Sequence, residues 1–403
     1  MNTMPQPGDR VGAYRLLFEL GQGGMAAVFA AEGLAGPIEG ARVACKMLLP
    51  HLRKDPRWLA QFAAEARTTA SIQHPNVVKV LEVPSDENAG YFITELYEGT
   101  ALDKLIGSQG PLQATTACAL LAQLANGLHA AHTTTSATNQ ALNIVHRDIS
   151  PHNVLVGFDG EVKLLDFGIA AADGNARLTR TGELKGKLAY LAPEQITRSH
   201  DVDAKTDLWA LGVLAYEVLT GVCLFAAADE ASTLWNVTAM DVPSLTAVLP
   251  GVPSELAQLV SACLQRDPSQ RPATALVLAN AFRAMARDSS KAELGALVRG
   301  QQAPRPLVQS HKSKRPSMAR WVAAAAAIGI ASLLVGVASR KQSSAQIHTV
   351  DPRPPVAIAV AVPEPVLKQV IKVKPVKRRD ARTKETHPAL VSNPYHDLVS
   401  NPY

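Results

Sequence analysis

The chain has 403 residues, of which 40 are Lys or Arg and 35 are Asp or Glu, giving a formal net charge of +5. That length exceeds one ordinary hydrophobic core, so the sequence holds a folded domain and further segments. Residues 1–286 carry 21 basic and 28 acidic side chains, 287–320 carry 8 and 2, and 340–403 carry 11 and 5, so the excess positive charge lies outside the first segment and nucleic acid is not an expected partner.

The first informative element is the run Leu20-Gly21-Gln22-Gly23-Gly24-Met25-Ala26-Ala27-Val28, flanked by alternating segments at 14–20 and 28–31. It reads as a hairpin whose turn lets backbone N–H groups approach phosphates. Without a following Gly-Lys-Ser/Thr it is not a P-loop. Residues 42–48 then form an apolar strand in which alternation puts Ala44 and Lys46 on one face and Val43, Cys45 and Met47 on the other. A lysine in such a strand needs anionic partners. The next helix is predicted to start with Asp55 as N-cap and Pro56 in its first turn. Phe62, Glu65, Ala66 and Thr69 share its inward stripe, which makes Glu65 the partner of Lys46.

Residues 91–97 read as a strand. Farther on stands Ile144-Val145-His146-Arg147-Asp148-Ile149-Ser150-Pro151-His152-Asn153, followed by Leu164-Leu165-Asp166-Phe167-Gly168. In this spacing Asp148 can accept a hydroxyl proton, while Asn153 and Asp166 offer oxygen ligands to magnesium. Phosphoryl transfer is mostly positioning and charge neutralisation, so these few groups can suffice. The polar stretch 133–143 reads as a surface excursion. Residues 208–219 are apolar on nearly every side except at Glu217, as in a buried helix, with Asp207 as its predicted N-cap. Cys45, Cys118, Cys223 and Cys263 show no metal spacing and read as free thiols in a reducing compartment.

These motifs resemble those of the eukaryotic-like protein kinases, whose catalytic loop reads H-R-D-x-x-x-x-N and whose metal motif reads D-F-G. The resemblance covers roughly 14–286. It implies an α+β, bilobal fold, with a small β-rich lobe at about 14–96 and a larger helical lobe at about 97–286. It further implies ATP and Mg2+ as cofactors and proteins as substrates, with Lys46 and Glu65 orienting ATP and Asp148 as the base. Glu95 and Tyr97 would bond the adenine edge, Val28, Ala44 and Leu155 would enclose the ring, and Thr94 would gate the space behind it. Ala192-Pro193-Glu194 resembles the motif closing the activation segment, and Arg271 its buried partner. By resemblance Asp207 anchors the catalytic-loop backbone, and Arg147 pairs with a phosphorylated hydroxyl, for which Thr179 and Thr181 are the candidates.

Two departures lie in the catalytic region. Ser150 stands two residues after Asp148, where the family usually has lysine, and Lys187 follows Gly186, where it usually has threonine. The pair reads as an exchange in which Lys187 supplies the catalytic cation and Ser150 the hydroxyl. A pseudokinase scaffold, suggested by Ser150 and Ala26, is the alternative from a different class. A small-molecule phosphotransferase is a second, against which the activation segment speaks.

From 287 to 320 the composition turns to Gln, Pro, Ser, Lys and Arg and reads as a flexible basic connector. Residues 321–339 contain no charge. Nineteen residues at ~1.5 Å each span about 28 Å, so a transmembrane helix contacting lipid is expected. No apolar leader occurs in residues 1–13. Five Lys/Arg within 301–320 against three within 340–359 favour a cytoplasmic N-terminal side. The expected location is thus a bacterial inner membrane, crossed once, with the Pro-rich, basic tail 340–403 outside. That tail repeats Leu-Val-Ser-Asn-Pro-Tyr at 390–395 and 398–403. A homodimer is left open.

Overall fold

The structure, a computed structural model, describes residues 4–35, 38–86, 88–167, 183–197 and 202–302. The span expected at 321–339, the tail, Gly168, Thr179 and Thr181 lie outside the described residues. Among the described residues no helix is long and apolar enough to cross a membrane.

The small lobe is one antiparallel sheet with a helix against it. Its strands are β1 (Arg10–Val11), β2 (Tyr14–Gln22), β3 (Ala26–Gly33), β4 (Arg42–Leu48), β5 (Val80–Glu82) and β6 (Tyr91–Glu95), in the order β1-β2-β3-β4-β6-β5. The alternation expected in β4 is realised: Val43, Cys45 and Met47 enter the core of this lobe with Phe29, Phe62 and Ile93. That leaves Ala44 and Lys46 to the opposite face. The helix α1 (Pro56–Ala70) begins as predicted, with the Asp55 carboxylate accepting a hydrogen bond from the Arg57 backbone N–H.

The larger lobe starts with β7 (Gly99–Ala101), which joins β8 (Val154–Gly157) and β9 (Val162–Leu164) in a second small sheet. Between them run α2 (Leu102–Gln109) and α3 (Ala114–Thr133). The helices α4 (Glu183–Leu188), α5 (Pro193–Thr197), α6 (Ala204–Thr220), α7 (Glu230–Ala239), α8 (Leu245–Val248), α9 (Ser254–Cys263), α10 (Ala275–Met285) and α11 (Ser290–Gln302) follow. Leu120, Leu121, Leu124 and Leu128 of α3 pack in one core with Leu208, Leu211, Val218 and Leu219 of α6. The polar stretch after α3 is a surface excursion, as expected, closed by a bridge between Thr135 and Ala141.

Two sequence readings need correction here. Asp207 is not the N-cap of α6: Asp203 caps it by accepting from the Lys205 N–H, which leaves Asp207 one turn inside and fully buried. The connector read from residue 287 is partly helical, because α11 packs on the large lobe. Leu294 and Val298, four residues apart and so on one face, are buried in its core. Burying two such side chains contributes roughly 1.5–3 kcal/mol each. Glu293 accepts a hydrogen bond from Thr116 at 2.7 Å, and Lys291 pairs with Glu161. The backbones meet at Gly160, whose φ of +78° is left-handed and where a Cβ would collide with the Lys291 carbonyl.

The predicted Glu194–Arg271 pair is formed. The two guanidinium ends reach the two carboxylate oxygens at 2.7 and 2.9 Å, both residues are buried, and the guanidinium lies 5.1 Å from the centre of the Trp209 ring. Burial acts to raise the Glu194 carboxyl, but Arg271 overrides it and holds the group below its usual range. With a depressed folded value, the stabilisation is present above the ordinary glutamate pKa and is lost as pH falls through the folded one. Glu194→Gln should lower unfolding stability at pH 7 by about 3 kcal/mol, because a buried guanidinium loses its counter-charge. The urea midpoint of the wild type should fall more steeply below pH 4.5 than that of the variant. Parallel curves for the two proteins would show that the pair contributes no pH dependence.

Candidate active site

Two adjoining cavities lie where the lobes meet. One of about 400 Å³ is lined by Leu20, Val28, Ala44, Val78, Thr94, Glu95, Leu96, Tyr97, Leu155 and Leu165. The other, of about 360 Å³, is lined by Gly21, Gln22, Gly23, Gly24, Met25 and Ala26, with Lys46, Glu65, Asp148, Asn153, Asp166 and Lys187. Gly21, Val28, Lys46, His152 and Asp166 face both. The first suits a flat apolar ring with polar groups along one edge, and the second suits phosphates.

The predicted cleft residues thus come together, with one exception. Ala27 is fully buried in the core of the small lobe, because Ala26 and Val28, two apart on β3, take the face toward the cleft. The turn between β2 and β3 is closed by Gly23 N–H donating to the Ala26 carbonyl at 2.9 Å. Val78, Leu165 and His152 were not anticipated. His152 could have been found within the catalytic-loop string; it sits 3.2 Å from the Asp103 carboxylate. Val78 lies on an irregular segment with no periodicity to place it.

Lys46 is buried, with its ammonium 2.7 Å from Glu65 and 2.5 Å from Asp166. Burial disfavours its charge, yet the two carboxylates more than compensate and raise its pKa above the usual lysine value. Burial likewise pushes the Glu65 carboxyl up against the pull of Lys46. At Asp166, whose side chain is partly exposed, the balance runs the other way: desolvation acts to raise the carboxyl, but Lys46, and Lys187 after it, hold it below its ordinary value. Asp166 therefore remains an anion beside the cavity.

The catalytic loop is held by hydrogen bonds to its backbone. The buried Asp207 carboxylate accepts from His146 N–H at 2.8 Å, Arg147 N–H at 2.9 Å and His132 Nε2 at 2.8 Å. Burial would raise this carboxyl, and His132, with His146, keeps it below the usual range. Arg147 has φ 67° and Asp166 φ 50°, left-handed values that a side chain adopts at a cost of about 1–3 kcal/mol each. His146 joins the two segments: Nε2 donates to the Leu165 carbonyl at 2.7 Å and Nδ1 accepts from Asp148 N–H at 3.3 Å. Asn153 Nδ2 donates to the Asp148 carbonyl and to its Oδ2, at 2.7 and 2.8 Å. That orientation leaves Asn153 Oδ1 available to a cation. With Asp166 it offers the hard oxygen donors that magnesium takes together with phosphate oxygens.

Lys187 is held at Asp148, its Nζ 2.6 Å from Oδ2. Ser150 behaves otherwise. Its side chain is buried, and its hydroxyl finds no hydrogen-bond partner among the described residues. The cation of the expected exchange is in the cleft, and the hydroxyl makes no bond to Asp148.

Comparison with known proteins agrees with this geometry. The family model described as the protein kinase domain matches residues 14–283. The chain is 36% identical over 299 residues to the tyrosine-protein kinase MasK of Myxococcus xanthus, covering 72% of this chain and 46% of that one. It is 35% identical over 246 residues to the serine/threonine-protein kinase PknL of Mycobacterium tuberculosis, covering 61% and 59%. It is also 34% identical over 269 residues to PrkC of Bacillus subtilis, covering 66% and 40%. The chain thus spans about half the length of these curated relatives. The solved kinase domain of Mycobacterium tuberculosis PknI shares the fold, with a TM-score of 0.53 at 21% identity over 70% of this chain and 100% of that one. With this family match over most of the chain, and its catalytic-loop and metal motifs meeting in one interlobe cleft, the chain belongs to the protein kinase domain family.

Proposed function

We propose that this protein is a membrane-anchored serine/threonine protein kinase that transfers the γ-phosphoryl group of ATP to protein hydroxyls, including its own. The observation that carries the reading is the buried Lys46 between Glu65 and Asp166, opening onto the cavity that Asp148 and Asn153 also line. In the transfer, a substrate hydroxyl oxygen bonds to the γ-phosphorus. The bond from that phosphorus to the β,γ-bridging oxygen breaks, its electron pair leaves with ADP, and the hydroxyl proton passes to Asp148. Lys46 orients the phosphates, and Val28, Ala44 and Leu155 enclose the adenine. Glu95 and Tyr97 present backbone groups to its edge. Asn153 and Asp166 would hold Mg2+, which neutralises phosphate charge when bound.

Hydroxyl class and activation follow from the same reading. PknL and PrkC are serine/threonine kinases by name, and MasK is a tyrosine kinase by name. Arg147 Nε is buried and has no partner among the described residues, which suits a phosphorylated Thr179 or Thr181 as its counter-charge. Asp148→Asn and Asp166→Asn should each reduce phosphate incorporation by at least about 1000-fold while leaving the thermal midpoint within a few degrees. Phosphoamino-acid analysis of the wild type should show phosphoserine and phosphothreonine. Undiminished incorporation in either variant would refute the enzyme reading, and phosphotyrosine as the main product would refute the hydroxyl class.

The anchor rests on the uncharged run 321–339, bracketed by Arg320 and by Arg340-Lys341. The larger Lys/Arg count on its N-terminal side supports a kinase domain inside the bacterial inner membrane and a tail outside. Protease added to intact spheroplasts should remove an epitope at 401–403 and leave 1–302 whole. Loss of the tail epitope only after lysis would place both sides within the cell and overturn the topology.

A further inference from the structure

Among the described residues the phosphate side of the cleft has two ammonium groups, and one of them is committed. Lys46 already serves two carboxylates, Glu65 at 2.7 Å and Asp166 at 2.5 Å. The other ammonium lining that cavity is Lys187, whose partner is Asp148. Ser150 brings no charge, and its buried hydroxyl is unbonded among the described residues. The backbone around Lys187 is fixed: its carbonyl accepts from Tyr190 N–H at 3.1 Å, Ala189 is buried, and the Tyr190 hydroxyl bonds Glu217. The side chain itself is about one-third exposed, at 38%. A short helix with an anchored C-terminal end therefore projects a long, adjustable ammonium over the base.

We propose that Lys187 is a catalytic residue that clasps Asp148 when the phosphate site is empty and bridges Asp148 to the γ-phosphoryl group during transfer. The inference rests on the phosphotransfer reading given above and deepens it. In the clasped state, Asp148 Oδ2 accepts from both Lys187 at 2.6 Å and Asn153 at 2.8 Å, so one of the two carboxylate oxygens that could take the hydroxyl proton is occupied. An anionic γ-phosphate draws the ammonium toward itself and frees a lone pair of Oδ2. As the oxygen–phosphorus bond to the substrate forms and the bond to ADP breaks, the hydroxyl proton moves to Asp148. Lys187 keeps its own proton throughout and neutralises charge on the transferring oxygens. A cation aimed at charge that develops in the transition state raises turnover more than it raises ATP affinity.

The test uses the full chain. Lys187→Met should lower kcat roughly 100-fold while the dissociation constant of ATP and the thermal midpoint stay at wild-type values. Lys187→Ala should be as slow, and added ethylammonium should restore its turnover in a saturable way. A merely structural lysine would not be replaced by a small free amine. Wild-type kcat in Lys187→Met, with Asp148→Asn inactive in the same assay, would overturn the role of Lys187 and leave the kinase reading intact. Absence of transfer by the wild type would instead remove the reading on which the inference rests.

Discussion

The cleft depends on a single buried ammonium. Lys46 reaches Glu65 on α1 and Asp166 in the segment after β9, so one side chain on β4 joins the small lobe's helix to the catalytic face of the large lobe. Burying a lone charge costs several kcal/mol, and a buried pair repays it only with good geometry. Two carboxylates against one cation over-compensate, and the surplus negative charge lies at Asp166, beside Asn153. That is the side on which a hard cation and its phosphates would be received. Among the described residues the other ammonium lining that cavity is Lys187.

The same economy governs the catalytic loop. Two left-handed residues, Arg147 and Asp166, flank the reacting centre, and neither conformation would persist without constraint. Asp207 supplies it at Arg147 through two backbone bonds, from a site with no solvent to compete. His146 carries the constraint across to Leu165, the neighbour of Asp166. The large hydrophobic core of α3 and α6 thus acts on the chemistry through one carboxylate and one imidazole.

Much of this was legible in the sequence because single residues have few physical solutions. A buried lysine on the cleft face of β4 requires an acid, and the helical stripe containing Glu65 supplies it. Asp55 before Pro56 is a helix-start signal, and the Glu194–Arg271 pair was legible through the resemblance to kinases. Where several solutions exist, the sequence under-determines the answer. Asp203 and Asp207 are both plausible caps one turn apart, and only the burial of the second decides between them. Ala27 sits inside a run read as a unit, whereas strand alternation assigns its neighbours to the cleft and it to the core. The helix α11 escaped because a short amphipathic segment with two buried apolar residues is easily lost among lysines and glutamines. Its docking depends on Gly160 and Gly295, whose role appears only once the backbones meet. Ser150 shows a further limit: its hydroxyl is buried and unbonded among the described residues, which the sequence alone does not reveal.

In the proposed function Asn153 and Asp166 form one metal site, with Asp148 as its adjacent base. A crystal structure of the chain with Mn2+ and a non-hydrolysable ATP analogue tests this most directly. The anomalous signal of manganese should fall within bonding distance of Asn153 Oδ1 and the Asp166 carboxylate, with the terminal phosphate beside Asp148 and the adenine between Ala44 and Leu155. Manganese on other side chains, or a nucleotide bound outside the cleft beneath Gly23 and Gly24, would contradict it.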